Sequence, residues 1–185
     1  MLRFKAGLWN AWIPVIYALL ITSFLPFLIN REAAKRMFAA FPLSKSEKIA
    51  VGVDWILFSG FIVYSFFLPF KLNLMWFYMC LPICLLGEFM VTVSVVNFLT
   101  TPPDKVVTKG IYRISRNPMH IAFCLLYLGI ACASWIVLLY FLIHTILFHI
   151  ETLAEERFLL KKYGSAYQEY LRQTSRYIGL RWFHE

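Results

Sequence analysis

A chain of 185 residues that is 61% hydrophobic, 18% aromatic and only 15% charged is too apolar for a soluble domain, which runs about half apolar and about a quarter charged. The same figures exclude disorder, a collagen-like fibre and a secreted disulfide scaffold. The net charge of +8 lies in basic clusters between apolar runs, where membrane topology and anionic headgroups account for it, so nucleic acid is not an expected partner.

The composition places the chain among all-α integral membrane proteins of several spans. The first apolar run covers residues 8–29 and follows Arg3 and Lys5. It is too long for a signal-peptide core and lacks a small-residue cleavage site, so it reads as a retained span, kinked near Pro14 or Pro26. Residues 31–48 mix charges with Met37, Phe38, Phe41 and Leu43 and read as a short helix lying in the interface. The second span, 49–70, and the third, 74–99, interrupted by Pro82, are joined by Lys71, Leu72 and Asn73 as a tight helical hairpin. Cys80, Cys84, Cys124 and Cys132 all lie in apolar runs and are expected to act as small packing residues; no metal site is expected.

The run 119–150 is too long for one crossing. A straight helix of that length would reach roughly 48 Å, against a hydrocarbon core of about 30 Å. Gly129, Ala131, Cys132, Ala133 and Ser134 fall in its middle, where small residues permit a turn and a close helix approach. The run therefore reads as a helical hairpin turning near Ser134, followed by a cytosolic C-terminal helix over 151–170 that Gly164 can break. That makes about five spans with the N-terminus outside. The basic clusters Arg31–Lys48, Lys105–Arg116 and Arg157–Arg181 then share one face, which the positive-inside rule makes cytosolic. Two parts are expected, an N-terminal three-helix region over 1–100 and a catalytic region over 101–185.

Polar chemistry collects in two segments, DKVVTKGIYRISRNPMH (104–120) and ETLAEERFLLKKYGSAYQEY (151–170). A hairpin brings Arg116 and Glu155 to one mouth. Asn117-Pro118 suits helix entry at Pro118, and the helix N-terminus with Arg116 favours a carboxylate. Glu155 and Glu156 offer negative charge for an ammonium or sulfonium. Such a cradle matches S-adenosylmethionine; the competing reading is an ordinary solvated face with i,i+4 pairing. Asp54 and Glu88 are ionisable residues within spans and candidates for function on that ground. His144 and His149 read as packing or pore-facing groups rather than metal ligands.

These elements together, Gly110-Ile111-Tyr112, Arg116-Asn117-Pro118-Met119-His120, Glu155-Glu156, Leu159, Tyr163-Gly164, Tyr167 and Tyr170, resemble the isoprenylcysteine carboxyl methyltransferase and phospholipid methyltransferase superfamily over residues 97–176. The resemblance implies a membrane enzyme that moves a methyl group from S-adenosylmethionine, bound at the cytosolic mouth, to a lipophilic acceptor entering from the bilayer. By position it implies cofactor contacts at Asn97, Asp104, Lys105, Val106, Val107, Tyr112, Asn117, Pro118, Met119, His120 and Glu155. The catalytic candidates are Arg116, for its carboxylate contact, and Glu151 or Glu156 as an optional general base. Three residues depart from the pattern. Asn117 replaces a histidine, His120 replaces a tyrosine, and Glu151 stands where carboxyl methyltransferases carry an arginine. A carboxylate there repels an anionic acceptor, so an amine, a thiol or another acceptor that is neutral or cationic before transfer is expected. The alternatives are a membrane sterol-type reductase using NADPH, whose R-x-P and K-Y-G patterns are similar, and a non-enzymatic membrane protein.

Overall fold

The computed structural model describes residues 10–178; Arg3, Lys5 and Arg181, used in the charge argument, lie outside them. The regular structure of the described residues is helical, with loops between the helices and one isolated β-bridge between Asn10 and Pro69. Four helical segments are long and apolar enough to cross a membrane, 12–29, 45–66, 75–99 and 135–163, and a shorter apolar helix covers 118–131.

The first span is α1 (Trp12–Leu19) running through a π turn, Leu20–Phe24, into α2 (Leu25–Ile29). Pro26 has no N–H to give Thr22, and the backbone widens immediately before it, Leu25 N–H donating to Leu20 O. The irregularity thus belongs to Pro26; Pro14 sits in the first turn of α1, where a missing N–H breaks nothing. Helix α3 (Arg31–Met37) starts at Asn30, whose side-chain oxygen accepts from Glu32 and Ala33 N–H, 3.1 Å each.

The second span differs in extent from the sequence expectation, and the third in continuity. Helix α4 (Lys45–Phe66) begins a turn earlier because Ser44 and Glu47 form a capping box, and ends at Phe66, ahead of the extended residue that Pro69 imposes at Leu68. Its connection to α5 (Met75–Leu99) is longer than the three residues expected. Pro82 does not interrupt α5, which is continuous through it.

The turn in the long run is where the small residues put it. Helix α6 (Pro118–Ala131) ends before Ser134, whose hydroxyl accepts from Ile136 N–H and caps α7 (Trp135–Tyr163). The separate C-terminal helix is a correction: α7 runs uninterrupted through Glu151 to Tyr163, and Gly164, at φ 55°, makes the break before α8 (Ser165–Gln173). Charge onset at Glu151 changes the solvent around the helix, and nothing in 151–163 stops its hydrogen-bond ladder.

Helices α5 and α6 pack backbone to backbone. A Cβ added to Gly87 would lie 2.6 Å from Leu126 N, and one added to Gly129 would lie 2.6 Å from Cys84 N. On the other side α4 packs on α7. Asp54 Oδ1 and His144 Nδ1, both residues buried, form a hydrogen bond of 2.8 Å, and Phe61 stacks on Tyr140 with ring centres 4.6 Å apart. Cys80 and Cys132 are not separate packing thiols; they form a disulfide across the α5–α6 end of the molecule. Near that end Ala11 N–H donates to Leu68 O at 2.9 Å.

Candidate functional site

The opposite end of the bundle carries the three basic clusters. Arg36 of α3 donates to the carbonyls of Pro102 and Lys105, 2.9 Å each, and lies over the rings of Phe98 and Tyr163. Arg157 of α7 pairs with Glu47 of α4. The clusters around Arg31–Lys48, Lys105–Arg116 and Arg157–Lys162 therefore meet on one face, as the hairpin requires.

Between them lies a cavity of about 220 Å³. Its floor is the first turn of α6 with Phe148 and Thr152 of α7; Glu155, Phe158 and Leu159 form one wall, Arg36, Met37 and Phe98 another, and Tyr112, Tyr163, Tyr167 and Tyr170 the outer side. The two helices of the hairpin differ in length. The 14 residues of α6 span about 21 Å, short of a hydrocarbon core of about 30 Å. Helix α7, with 29 residues, overshoots the same thickness and stands up as the cavity wall.

The loop that leads into α6 is fixed from several sides. Gly110 has φ 58°, and a Cβ there would fall 2.2 Å from Asn97 Nδ2. Glycine is needed for both reasons, the left-handed backbone and the amide packed against it. The short 3₁₀ turn Gly110–Arg113 follows and buries Tyr112, whose carbonyl accepts from Tyr170 O–H at 2.7 Å. Tyr163 O–H donates to Pro103 O at 3.2 Å. Two tyrosines of the Tyr163/Tyr167/Tyr170 pattern thus strap the loop to α7 and α8, while Tyr167 lines the cavity. Burial first, then the charge of Glu155, hold the Tyr112 phenol above its ordinary range, and burial does the same for Tyr167 and Tyr170.

The candidate residues divide into three groups. Val106, Val107, Tyr112, Arg116, Asn117, Pro118, Met119, His120 and Glu155 all line the cavity. Asn97, Asp104 and Lys105 do not: Asn97 supports Gly110 from behind, and Asp104 and Lys105 sit on the loop that Arg36 grips. Of the catalytic candidates, Glu156 faces away from the cavity. It is held by Arg176 at 2.9 Å and Arg116 at 3.6 Å, and Asn117 Nδ2 donates to it at 3.3 Å. Glu151 stands one turn below Glu155 on α7, outside the cavity lining.

Several polar atoms at the cavity have no partner among the described residues. Arg116 Nε and His120 Nδ1 are buried without a hydrogen bond, and no side chain caps α6, so N–H groups of its first turn remain open. Glu155 makes no hydrogen bond or ion pair among the described residues. The Arg116 guanidinium and the open N–H groups thus favour an anion at the α6 end, a carboxylate faces them from α7, and aromatic rings close the space between.

Sequence reasoning missed Arg36, Phe98, Phe148 and Thr152, which line the cavity, and the C-terminal segment that backs it. Arg116 N–H donates to Ser175 O at 2.9 Å, and Ser115 Oγ and Asn117 Nδ2 both donate to Arg176 O. Arg36 had a signal, a basic residue in an interfacial helix, but that signal fits a lipid anchor equally well. In these bonds 175–176 contribute backbone carbonyls, which leave no residue pattern.

A family model for phospholipid methyltransferase matches residues 74–166, half of the chain. No curated protein and no solved structure matches the chain.

Proposed function

The chain belongs to the phospholipid methyltransferase family, and on that premise we propose that it binds S-adenosylmethionine in the cavity at the start of α6 and methylates a lipophilic amine or thiol that arrives from the bilayer. The observation that carries this reading is the opposed polarity of the cavity. Arg116 Nε, His120 Nδ1 and the open N–H groups of α6 stand at one side, Glu155 at the other, with aromatic faces between. That donor set fits a ligand carrying a carboxylate, an ammonium and a sulfonium: the α6 terminus and Arg116 suit the carboxylate, Glu155 the ammonium, and the rings the sulfonium. When bound, the cofactor would supply an electrophilic methyl group.

The residues of the chain do the remaining work. Tyr112, Tyr167 and Tyr170, neutral and packed, wall the cavity against water, which keeps a competing nucleophile out. Glu156, by holding Arg116 and Arg176, fixes the α6 entry loop so that the ligand groups are in place before the acceptor arrives. Glu151 adds a carboxylate below the cavity, which favours an acceptor that is neutral or cationic before transfer and offers a place for the proton that an amine or thiol releases.

The cavity faces the cytosol in this reading. The basic clusters gather at its end of the bundle, as the positive-inside rule expects, and the Cys80–Cys132 disulfide lies at the other end, where an oxidising compartment would keep it.

The test is ligand stabilisation of the purified chain in nanodiscs, followed by mass analysis of lipids after incubation with methyl-labelled S-adenosylmethionine. S-adenosylhomocysteine is expected to raise the unfolding temperature and NADPH is not. Stabilisation by NADPH alone would move the assignment to a reductase. Glu151→Arg is expected to shift preference away from amine acceptors, and an unchanged preference would remove the argument from Glu151.

A further inference from the structure

The mechanism makes no use of Glu88, yet it is the most exceptional ionisable group in the bundle. It lies on α5, 13 residues after Met75 and 11 before Leu99, so about 17–20 Å of helix separates it from either end. That is the middle of the membrane. The residue is 8% exposed, and both carboxyl oxygens are buried without a hydrogen-bond partner among the described residues. An ionisable group left so in hydrocarbon is costly, and such residues are retained for function.

Its surroundings are a groove and not a sealed core. Phe77, Leu81, Leu85, Glu88 and Thr92 form one stripe along α5, and Tyr17 of α1 closes the far side. The groove holds about 790 Å³ and is almost wholly apolar apart from Glu88 and the Tyr17–Thr92 pair, whose oxygens are 2.9 Å apart. Thr92 already spends its own hydroxyl on these bonds, donating to the Glu88 carbonyl, so neither hydroxyl serves the carboxyl group. Tyr17 is 42% exposed and Leu85 57%, and on a spanning segment exposed surface faces lipid.

We propose that this groove is a second ligand site, separate from the methyl-donor cavity, for a bilayer-dissolved molecule that brings one O–H or N–H donor to Glu88. The depth selects the ligand. A phospholipid seated normally keeps its headgroup at the interface and presents only methylenes at mid-membrane, so it cannot satisfy Glu88. A lipophilic alcohol or amine whose hydrocarbon fills the groove can sink to that depth, because the carboxyl group replaces the water its donor gives up. Phe77, Leu81 and Leu85 then cover its chain. The site is a binding site only; no bond is made or broken in it.

The 185-residue chain in phosphatidylcholine nanodiscs tests this, since that headgroup carries no N–H or O–H donor. Dicyclohexylcarbodiimide, a bilayer-soluble reagent for carboxyl groups, is added alone or with dodecanol, dodecylamine or methyl dodecanoate, and modification is read by mass spectrometry as loss of the unmodified peptide, so that amide or ester formed by capture of the activated carboxyl counts as reaction. Dodecanol, dodecylamine or both are expected to slow modification of Glu88 by about fivefold, the factor one net hydrogen bond is worth. Methyl dodecanoate and the reaction at Glu151 are expected to show no such effect. The two donors separate the sources: protection by the alcohol alone marks a hydroxyl ligand, by the amine alone an amino ligand. Protection by neither, equal protection by the ester, or failure of the reagent to reach Glu88 in the absence of any additive overturns the proposal. As a second measurement, the protecting compound is expected to raise the unfolding temperature of the native chain and not of Glu88→Leu; equal shifts would also overturn it. S-adenosylhomocysteine binding by Glu88→Leu reports separately on the methyl-donor cavity.

Discussion

Alanine substitution of four glycines is expected to divide them by sign, and the structure gives the reason. On α5 and α6, a Cβ at Gly87 would meet Leu126 N at 2.6 Å and Ala122 O at 2.9 Å, and one at Gly129 would meet Cys84 N at 2.6 Å and Cys84 Cα at 2.7 Å. Ordinary contact begins at 3.4 Å, so each methyl demands a retreat of about 0.8 Å. The obstructing atoms are backbone atoms of a helix and cannot rotate aside. Overpacking of this kind costs about 1–3 kcal/mol. On α4, nothing lies within 4 Å of a Cβ at Gly52 or Gly60, and there the same methyl gains about 0.5–1 kcal/mol of helix preference. Unfolding of each variant in mixed micelles, read by circular dichroism, should show Gly87→Ala and Gly129→Ala destabilised and Gly52→Ala and Gly60→Ala level or stabilised. Ligand binding adds a second axis. Gly87 packs nearer the end of α5 that supports Gly110, and Gly129 lies near the Cys80–Cys132 disulfide. Gly87→Ala should therefore weaken S-adenosylhomocysteine binding more than Gly129→Ala does. Four substitutions of one sign, or equal losses of affinity, would refute the backbone-contact argument.

Other outcomes follow from the polar groups. His144→Phe leaves Asp54 buried with no partner and is expected to cost about 3–5 kcal/mol; adding Asp54→Leu should recover most of the loss, and a double variant no better than the single one would show that the pair is not the cause. Glu156→Gln strips charge from a site that holds Arg116 and Arg176 and should loosen the strap between 115–117 and 175–176; proteolysis after 173 and a higher Kd for S-adenosylhomocysteine, with helix content unchanged, are the readouts. Alkaline stability should report on the tyrosines. Burial raises the phenols of Tyr112, Tyr167 and Tyr170 above the ordinary value of 10.0, so the folded state retains protons that the unfolded chain gives up. Their contribution is present below about pH 10 and declines as the pH climbs past it. Tyr167→Phe should flatten that decline in a pH titration of the unfolding temperature, and an unaltered slope would count against it.

Much of this molecule was determined by its sequence because its solvent is uniform. In hydrocarbon every backbone group must be bonded within its own helix, so runs of apolar residues declare spans, and a run too long for the bilayer declares a turn. The turn at Ser134 and helix entry at Pro118 were legible for that reason, as were Glu155, Tyr112 and 116–120 as one polar neighbourhood. Helix ends were less so. The early start of α4 came from Ser44 and Glu47 acting together, and the continuity of α7 past Glu151 came from the absence of any stop before Gly164. What only the tertiary structure decided are relations between distant segments. The pairing of Cys80 with Cys132, the use of Glu156 to hold two arginines instead of facing the cavity, the placement of Asn97 behind Gly110, and the reach of Arg36 to the 102–105 carbonyls all depend on which helix faces which. Side chains of the same chemistry at the same depth look alike in a sequence; only the direction each one points distinguishes a wall of the cavity from the brace behind it.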